Sequence, residues 1–66
     1  MKVLEEYFRG KGISNEQYGI VCPQGNRSEL RYWRKDTTAV VIDNIDLKCD
    51  QGMFCFRFCD GVIEVI

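Results

Sequence analysis

The clearest pattern along the chain is in the last fourteen residues, where each of two apolar runs contains a single charged residue. Two apolar runs, 53–59 and 62–66, are separated by Asp60-Gly61, the pair that a type I′ turn favours because both of its central residues need positive φ. A turn centred there sets Arg57 directly opposite Glu64. One face of the predicted β-hairpin then gathers Phe54, Phe56, Phe58, Ile63 and Val65.

The first nine residues carry a helical pattern instead. Apolar residues follow the spacing i, i+1, i+4, i+5, which forms one stripe on a helix over residues 2–9. Gly10 follows as the predicted C-cap. A two-turn helix does not persist alone, so we expect it to dock on an apolar surface. The stripe consists of Val3, Leu4, Tyr7 and Phe8.

Residues 14–22 fit two interpretations. Ser14 and Gln17 have the spacing of a capping box, which would begin a single helical turn. A strand from Gln17 to Cys22, ended by Pro23, fits equally well, because short apolar runs do not distinguish a strand from a helix. The sequence leaves both open.

The middle of the chain predicts further strands. Residues 29–35 alternate, with Arg31, Trp33 and Lys35 on one face and with Leu30, Tyr32 and Arg34 on the other. The β-branched run 38–42 also favours a strand. A tight turn at Asp43-Asn44 would make residues 38–49 a hairpin, whereas a bulge there would leave one long bent strand. Both readings of this segment stay open.

These elements predict an α+β fold in one small domain spanning residues 1–66. A short N-terminal helix packs on one face of a four- to five-stranded, mostly antiparallel β-meander, which ends in the C-terminal hairpin (53–59/62–66). The residues expected in the core are Phe54, Phe56, Phe58, Ile63, Val65, Val40, Ile42, Leu47, Leu4 and Phe8.

Charge and hydropathy narrow the choice of partner. The formal net charge of the 66 residues is −1, which supplies no overall field toward nucleic acid or an anionic membrane. No apolar run approaches the roughly 18 residues of a membrane span, and the N-terminus lacks the apolar core of a signal peptide. We therefore expect a cytoplasmic protein.

The four cysteines do not have the spacing of a metal site. Cys55 and Cys59 would lie about 13 Å apart on one strand, and the segment Cys22–Gly25 lacks the second thiol of a zinc knuckle. Histidine is absent from the sequence. The prediction is therefore no metal, no cofactor, and reduced, buried thiols that act as small apolar side chains. The fourth cysteine is Cys49.

Enzymatic signatures are also missing. Without histidine, a serine or cysteine nucleophile has no imidazole base. The sequence contains no glycine-rich phosphate loop. Asp43, Asp46 and Asp50 lie close together, but aspartates in this setting are typical of turns. We predict that the protein is not an enzyme.

One candidate binding surface is the basic and aromatic stretch from Arg27 to Lys35. It fits a protein-binding hot spot, a single-stranded nucleic-acid platform on which Trp33 stacks a base, or a core in which Trp33 lies beneath the helix. The near-neutral net charge disfavours nucleic acid. The predicted contact residues are Arg31, Tyr32, Trp33, Arg34 and Lys35.

A second candidate surface is the other side of the C-terminal hairpin. Its apolar strip has little charge, and its last strand lacks the lysine or proline that protects an edge. We expect the strip to be covered by the N-terminal segment, by a partner, or by a second copy that adds its strand to form a homodimer. The strip comprises Met53, Cys55, Cys59, Val62 and Ile66, and the predicted dimer or partner edge is formed by Met53, Cys55, Val62 and Ile66.

The function predicted from these features is a non-enzymatic protein-binding module. Inhibitors encoded by phages and mobile elements, anti-CRISPR proteins among them, are small chains of this kind, an association that rests on size alone. The alternative is a small single-stranded nucleic-acid-binding β domain that uses residues 27–35.

Overall fold

The computed structural model describes residues 2–47 and 52–66. One helix precedes five strands, which confirms the predicted α+β fold. The helices and strands are α1 (Lys2–Gly10), β1 (Gln17–Gln24), β2 (Arg27–Arg34), β3 (Val41–Ile45), β4 (Phe54–Cys59) and β5 (Val62–Val65).

The five strands form one antiparallel sheet in the order β3-β2-β1-β4-β5. Strands β1 to β3 are a meander, but β4 pairs with β1 rather than with β3. The chain between β3 and β4 therefore crosses from one edge of the sheet to the far side of β1. This is a departure from the simple meander that the sequence predicted, and it makes β1 the central strand.

The C-terminal hairpin has the predicted register. Arg57 pairs with Glu64, and both turn residues have positive φ, 51° at Asp60 and 82° at Gly61. Pairing continues to the end of the chain, because the Ile66 N–H donates to the Cys55 carbonyl at 2.9 Å. The local turn signal was therefore sufficient to fix which side chains share a face.

Residues 14–22 contain a strand rather than a helical turn. Strand β1 begins at Gln17 and continues past Pro23 to Gln24, so the prediction that Pro23 ends the strand is wrong. The pairing with β4 stops at Val21, and the missing N–H of Pro23 consequently leaves no gap in that ladder. The turn that joins β1 to β2 consists of Gly25 and Asn26.

Strand β3 matches neither reading of residues 38–49, because its one-to-one pairing with β2 leaves neither a turn nor a bulge at Asp43-Asn44. It runs through Asp43-Asn44, which pair with Leu30 and Glu29 on β2, so a hairpin turn at this position is contradicted. The strand is shorter than expected, because residues 37–40 are not part of it. Residues 48–51 lie outside the described part of the chain, and with them the predicted placement of Cys49.

Helix α1 ends in a Schellman motif whose glycine lies two residues beyond the predicted cap. The Ile13 N–H donates to the Phe8 carbonyl at 3.0 Å, and the Gly12 N–H donates to the Arg9 carbonyl at 3.0 Å. Gly12 adopts a φ of +73°, which glycine reaches at the lowest cost. Gly10, the predicted C-cap, is instead the last helical residue.

The core lies between α1 and one face of the sheet. Leu4 and Phe8 are fully buried, and the Phe8 ring stacks on Phe58 with 4.7 Å between the ring centres. Seven of the ten predicted core residues are buried. They are Phe54, Phe56, Phe58, Ile63, Leu47, Leu4 and Phe8.

Three predicted core residues are exposed instead. Ile42 lies on the opposite face of the sheet, because β3 runs straight and Asp43 takes the inward position. Val40 precedes the strand, and Val65 lies on the edge strand β5. Each of the three side chains is about half exposed.

Candidate binding surface

The sheet has a second face that α1 does not touch, here called the open face. Its side chains alternate with those of the core along each strand. Among the described residues no element packs across it, and Ile42 and Val62 are 57% and 61% exposed. The open face comprises Tyr18, Ile20, Cys22, Glu29, Arg31, Trp33, Ile42, Asn44, Cys55, Arg57, Cys59, Val62, Glu64 and Ile66.

The sheet divides the residues of the first predicted surface. Arg31 and Trp33 lie on the open face, and Lys35 follows directly after β2. Tyr32 is 6% exposed and meets Phe8 edge to face with 5.0 Å between the ring centres. This burial removes Tyr32 from the contact surface. Arg34 shares its side of β2 with Tyr32.

Trp33 is not the core residue that one interpretation placed beneath the helix. Its side chain is half-buried on the face opposite α1, where the strand register sets it beside Tyr18 of β1. Tyr18 was missed by the sequence analysis, because its strand was not separable there from a helical turn. The two aromatic side chains lie side by side on the open face, at the start of β1 and near the end of β2.

The second predicted surface lies on the expected side of the hairpin. Met53, Cys55, Val62 and Ile66 are all exposed. The N-terminal segment does not cover them, because α1 lies on the other face. The exposure of Cys55 also contradicts the prediction of buried thiols, since its position in β4 turns the sulfur away from the core.

Charged side chains on the open face are paired with one another. The Arg57 guanidinium lies between two carboxylates, with Nε 2.8 Å from Glu16 and Nη1 3.4 Å from Glu64. The hydrogen bond from Arg57, with a second from the Tyr18 hydroxyl, lowers the pKa of Glu16. The hydrogen bond with Glu16 in turn raises the pKa of Arg57.

Arg31 has a similar partner. Its Nε donates to Glu29 at 2.5 Å, and this hydrogen bond raises the pKa of Arg31. Both arginines in the middle of the open face therefore stand beside carboxylates. The sequence indicated the Arg57–Glu64 pair from the hairpin register, whereas Glu16 was missed because it precedes a strand whose register depends on distant pairing.

On both edges of the sheet, an acidic side chain accepts a hydrogen bond from a backbone N–H of the edge strand. On β5 the Ile63 N–H donates to Glu5 of α1 at 3.1 Å. On β3 the Asn44 N–H donates to Asp43 at 2.8 Å. An edge N–H that already has an acceptor does not template a new strand as readily. These contacts oppose the strand addition that the sequence suggested.

The thiols and carboxylates of the described residues are spread apart or hydrogen-bonded. Across residues 2–47 and 52–66, no three thiol or carboxylate groups lie close enough together to hold a metal ion. Asp43 accepts hydrogen bonds from the Tyr7 hydroxyl at 2.7 Å and from the Asn44 N–H, so its carboxylate has a structural role. In the same ranges, α1 is too short and too polar for a membrane crossing.

Comparison of the chain with models of protein families, with curated protein sequences and with solved structures finds no match.

Proposed function

We propose that the protein is a non-enzymatic protein-binding module that engages its partner through the open face. The observation that carries this proposal is a sheet face that leaves apolar side chains exposed and also holds a half-buried tryptophan. A solvent-facing sheet side normally carries mostly polar residues. Contiguous exposed apolar area is typical of interaction sites, and tryptophan is enriched among the residues that dominate binding energy.

The pairing of the arginines favours a protein partner over nucleic acid. Phosphate recognition relies on lysine and arginine side chains that neutralise phosphates and so release the counterions condensed on the nucleic acid. Arg31 and Arg57, however, both lie against carboxylates. Bringing phosphates to them would also bring phosphates near Glu29 and Glu16. A protein surface tolerates this mixture, because it can present both signs of charge at matching positions.

The edges of the sheet favour binding by the face. Glu5 and Asp43 already accept hydrogen bonds from outward N–H groups of β5 and β3. A partner that added a strand would have to displace a carboxylate, whereas a partner packed on the face would not. An inhibitor that occupies a functional surface of its target, as small phage-encoded proteins do, is one form that this binding would take.

Affinity capture with matched variants tests the proposal. The tagged wild-type chain is incubated with lysate of the source cells beside Trp33→Ser and Ile42→Arg, which alter the open face, and Val3→Ser, which removes an exposed apolar side chain from the helix. We expect a protein retained by wild type and Val3→Ser and lost by the other two. Identical captured proteins for all four chains would contradict the proposal.

The nucleic-acid alternative has its own measurement. Labelled single-stranded oligonucleotides are added while the fluorescence of Trp33 is followed at low and high salt. We expect no saturable quenching. Quenching that weakens steeply as salt rises would instead indicate phosphate contacts and would replace the protein-binding proposal with the alternative.

A further inference from the structure

A pocket lies at the end of the sheet near the C-terminus of α1, away from the centre of the open face. Its volume is about 330 Å³, at the lower end of the range of small-molecule sites. The loop after α1, the end of β2 and the segment leading into β3 form its walls. The residues used below are Ile13, Gln17, Tyr32, Arg34, Ala39 and Val41.

The walls are mainly apolar. Ile13 and Tyr32 belong to the edge of the core, and Ala39 and Val41 face them from the segment that enters β3. Gln17 is a buried polar residue whose Nε2 donates to the Asn15 carbonyl at 3.3 Å. An apolar wall with few polar groups is the usual composition of a site for small organic molecules.

Arg34 sets the charge of the pocket. Among the described residues that line it, Arg34 is the one with a charged side chain, and no carboxylate is part of the wall. Arg34 has a partner in Asp36, but Nη2 of Arg34 and Oδ2 of Asp36 are 3.4 Å apart and both side chains are largely exposed. Such a pair contributes little, so an entering anion would compete with it on favourable terms.

We infer that this pocket binds a small apolar molecule that carries one carboxylate. The apolar part lies against Tyr32 and Val41, and the carboxylate meets the guanidinium of Arg34, whose planar fork matches two carboxylate oxygens. Trp33 of the open face also forms part of the pocket wall, so the pocket adjoins the protein-binding surface proposed above, but neither proposal depends on the other.

Nuclear magnetic resonance of the ¹⁵N-labelled chain tests the inference with two matched probes. Phenylbutyrate has the apolar body and the carboxylate, and phenylbutanol has the same body without charge. We expect saturable shifts at the backbone amides of Gly12, Ile13, Thr37 and Ala39. Because a hydrogen bond to a charged group is stronger than a neutral one, phenylbutyrate should bind about tenfold more tightly than phenylbutanol.

Three variants locate the binding. Arg34→Gln should remove the preference for the carboxylate, while Arg27→Gln, the same change at the other end of β2, should keep it. Ala39→Phe should fill the pocket and weaken both probes. Equal binding of the two probes, shifts spread over the open face, or the absence of saturable shifts in wild type would each overturn the inference.

Discussion

The two faces of the sheet are built from the same strands and have opposite surroundings. Along β4, Phe54, Phe56 and Phe58 point into the core, and the residues between them point to the open face. The helix-covered face excludes water, whereas the open face keeps apolar side chains exposed between ion pairs. If the open face binds a partner as proposed, alternate residues of one strand serve stability and binding, and substitutions on the two faces should have different consequences.

The largest expected effect is at the centre of the helix-covered face. Phe56 is fully buried, and Phe56→Ala should cost about 3–5 kcal/mol, through lost burial and the cavity left behind. That loss is close to the entire stability of many small domains. Phe56→Leu should cost less and keep unfolding by urea measurable. Cys55→Ala, the neighbouring position on the open face, should leave the urea midpoint nearly unchanged.

A second substitution adds a methyl group to the helix-covered face at Gly19, where the core has no space for it. Gly19 lies beneath the Phe56 ring, and a Cβ at this position would meet that ring and the Arg31 carbonyl, the latter at 2.5 Å. Gly19→Ala should destabilise by about 1–3 kcal/mol, because a packed core yields only by straining its neighbours. Gly10→Ala is the control, since a Cβ there meets no atom within 4 Å. Equal urea midpoints for the two variants would contradict this packing.

The sequence predicted those parts of the fold that depend on neighbouring residues. The Asp60-Gly61 turn fixed the register of β4 with β5. Three of the four residues of the apolar stripe, Leu4, Tyr7 and Phe8, pack on the sheet as expected, whereas Val3 is exposed. Both features follow from local φ preferences and periodicity. The residues that share the other side of the C-terminal hairpin were predictable for the same reason, although that side was expected to be covered.

The features that depend on distant residues were not predictable. The pairing of β1 with β4 joins residues about forty positions apart, and a local pattern carries no signal for it. Ile42 was misplaced because the face that it occupies is set by the path of β3 beside β2. Tyrosine is a common residue in binding surfaces, so the sequence placed Tyr32 there. Only the packing of Phe8 against Tyr32 shows that it belongs to the core.

The hydrogen bond between Tyr7 of α1 and Asp43 of β3 should make the free energy of unfolding depend on pH in both the acidic and the alkaline range. The hydrogen bond from Tyr7 lowers the pKa of Asp43. The stabilisation that ionised Asp43 contributes is therefore present above a pH of about 4 and is lost as the pH falls through the lowered pKa. Burial, and then the bond to Asp43, raises the pKa of Tyr7. This contribution is present below a pH of about 10 and is lost as pH rises further.

Tyr7→Phe should therefore flatten the dependence of the free energy of unfolding on pH at both ends. Urea unfolding at a series of pH values measures the effect. Tyr18→Phe, which removes a hydroxyl from the open face, should keep the alkaline slope of the wild type. An unchanged profile for Tyr7→Phe would show that the helix is not held to β3 by this bond.

The smallest expected effect is also the most direct comparison of the two faces. Ile42 and Ile45 are on the same edge strand, but Ile42 is exposed and Ile45 is 7% exposed. Threonine suits a strand, so substitution mainly removes apolar contact. Ile45→Thr should cost about 2 kcal/mol, and Ile42→Thr should stay within about 0.5 kcal/mol.

A large cost for Ile42→Thr would mean that the open face is covered when the protein is alone. In that case a second copy is the available cover, and the urea midpoint of the wild type would rise with protein concentration. A small cost, independent of concentration, would mean that the apolar side chains of this face remain available. Their contribution would then appear in binding to a partner rather than in folding.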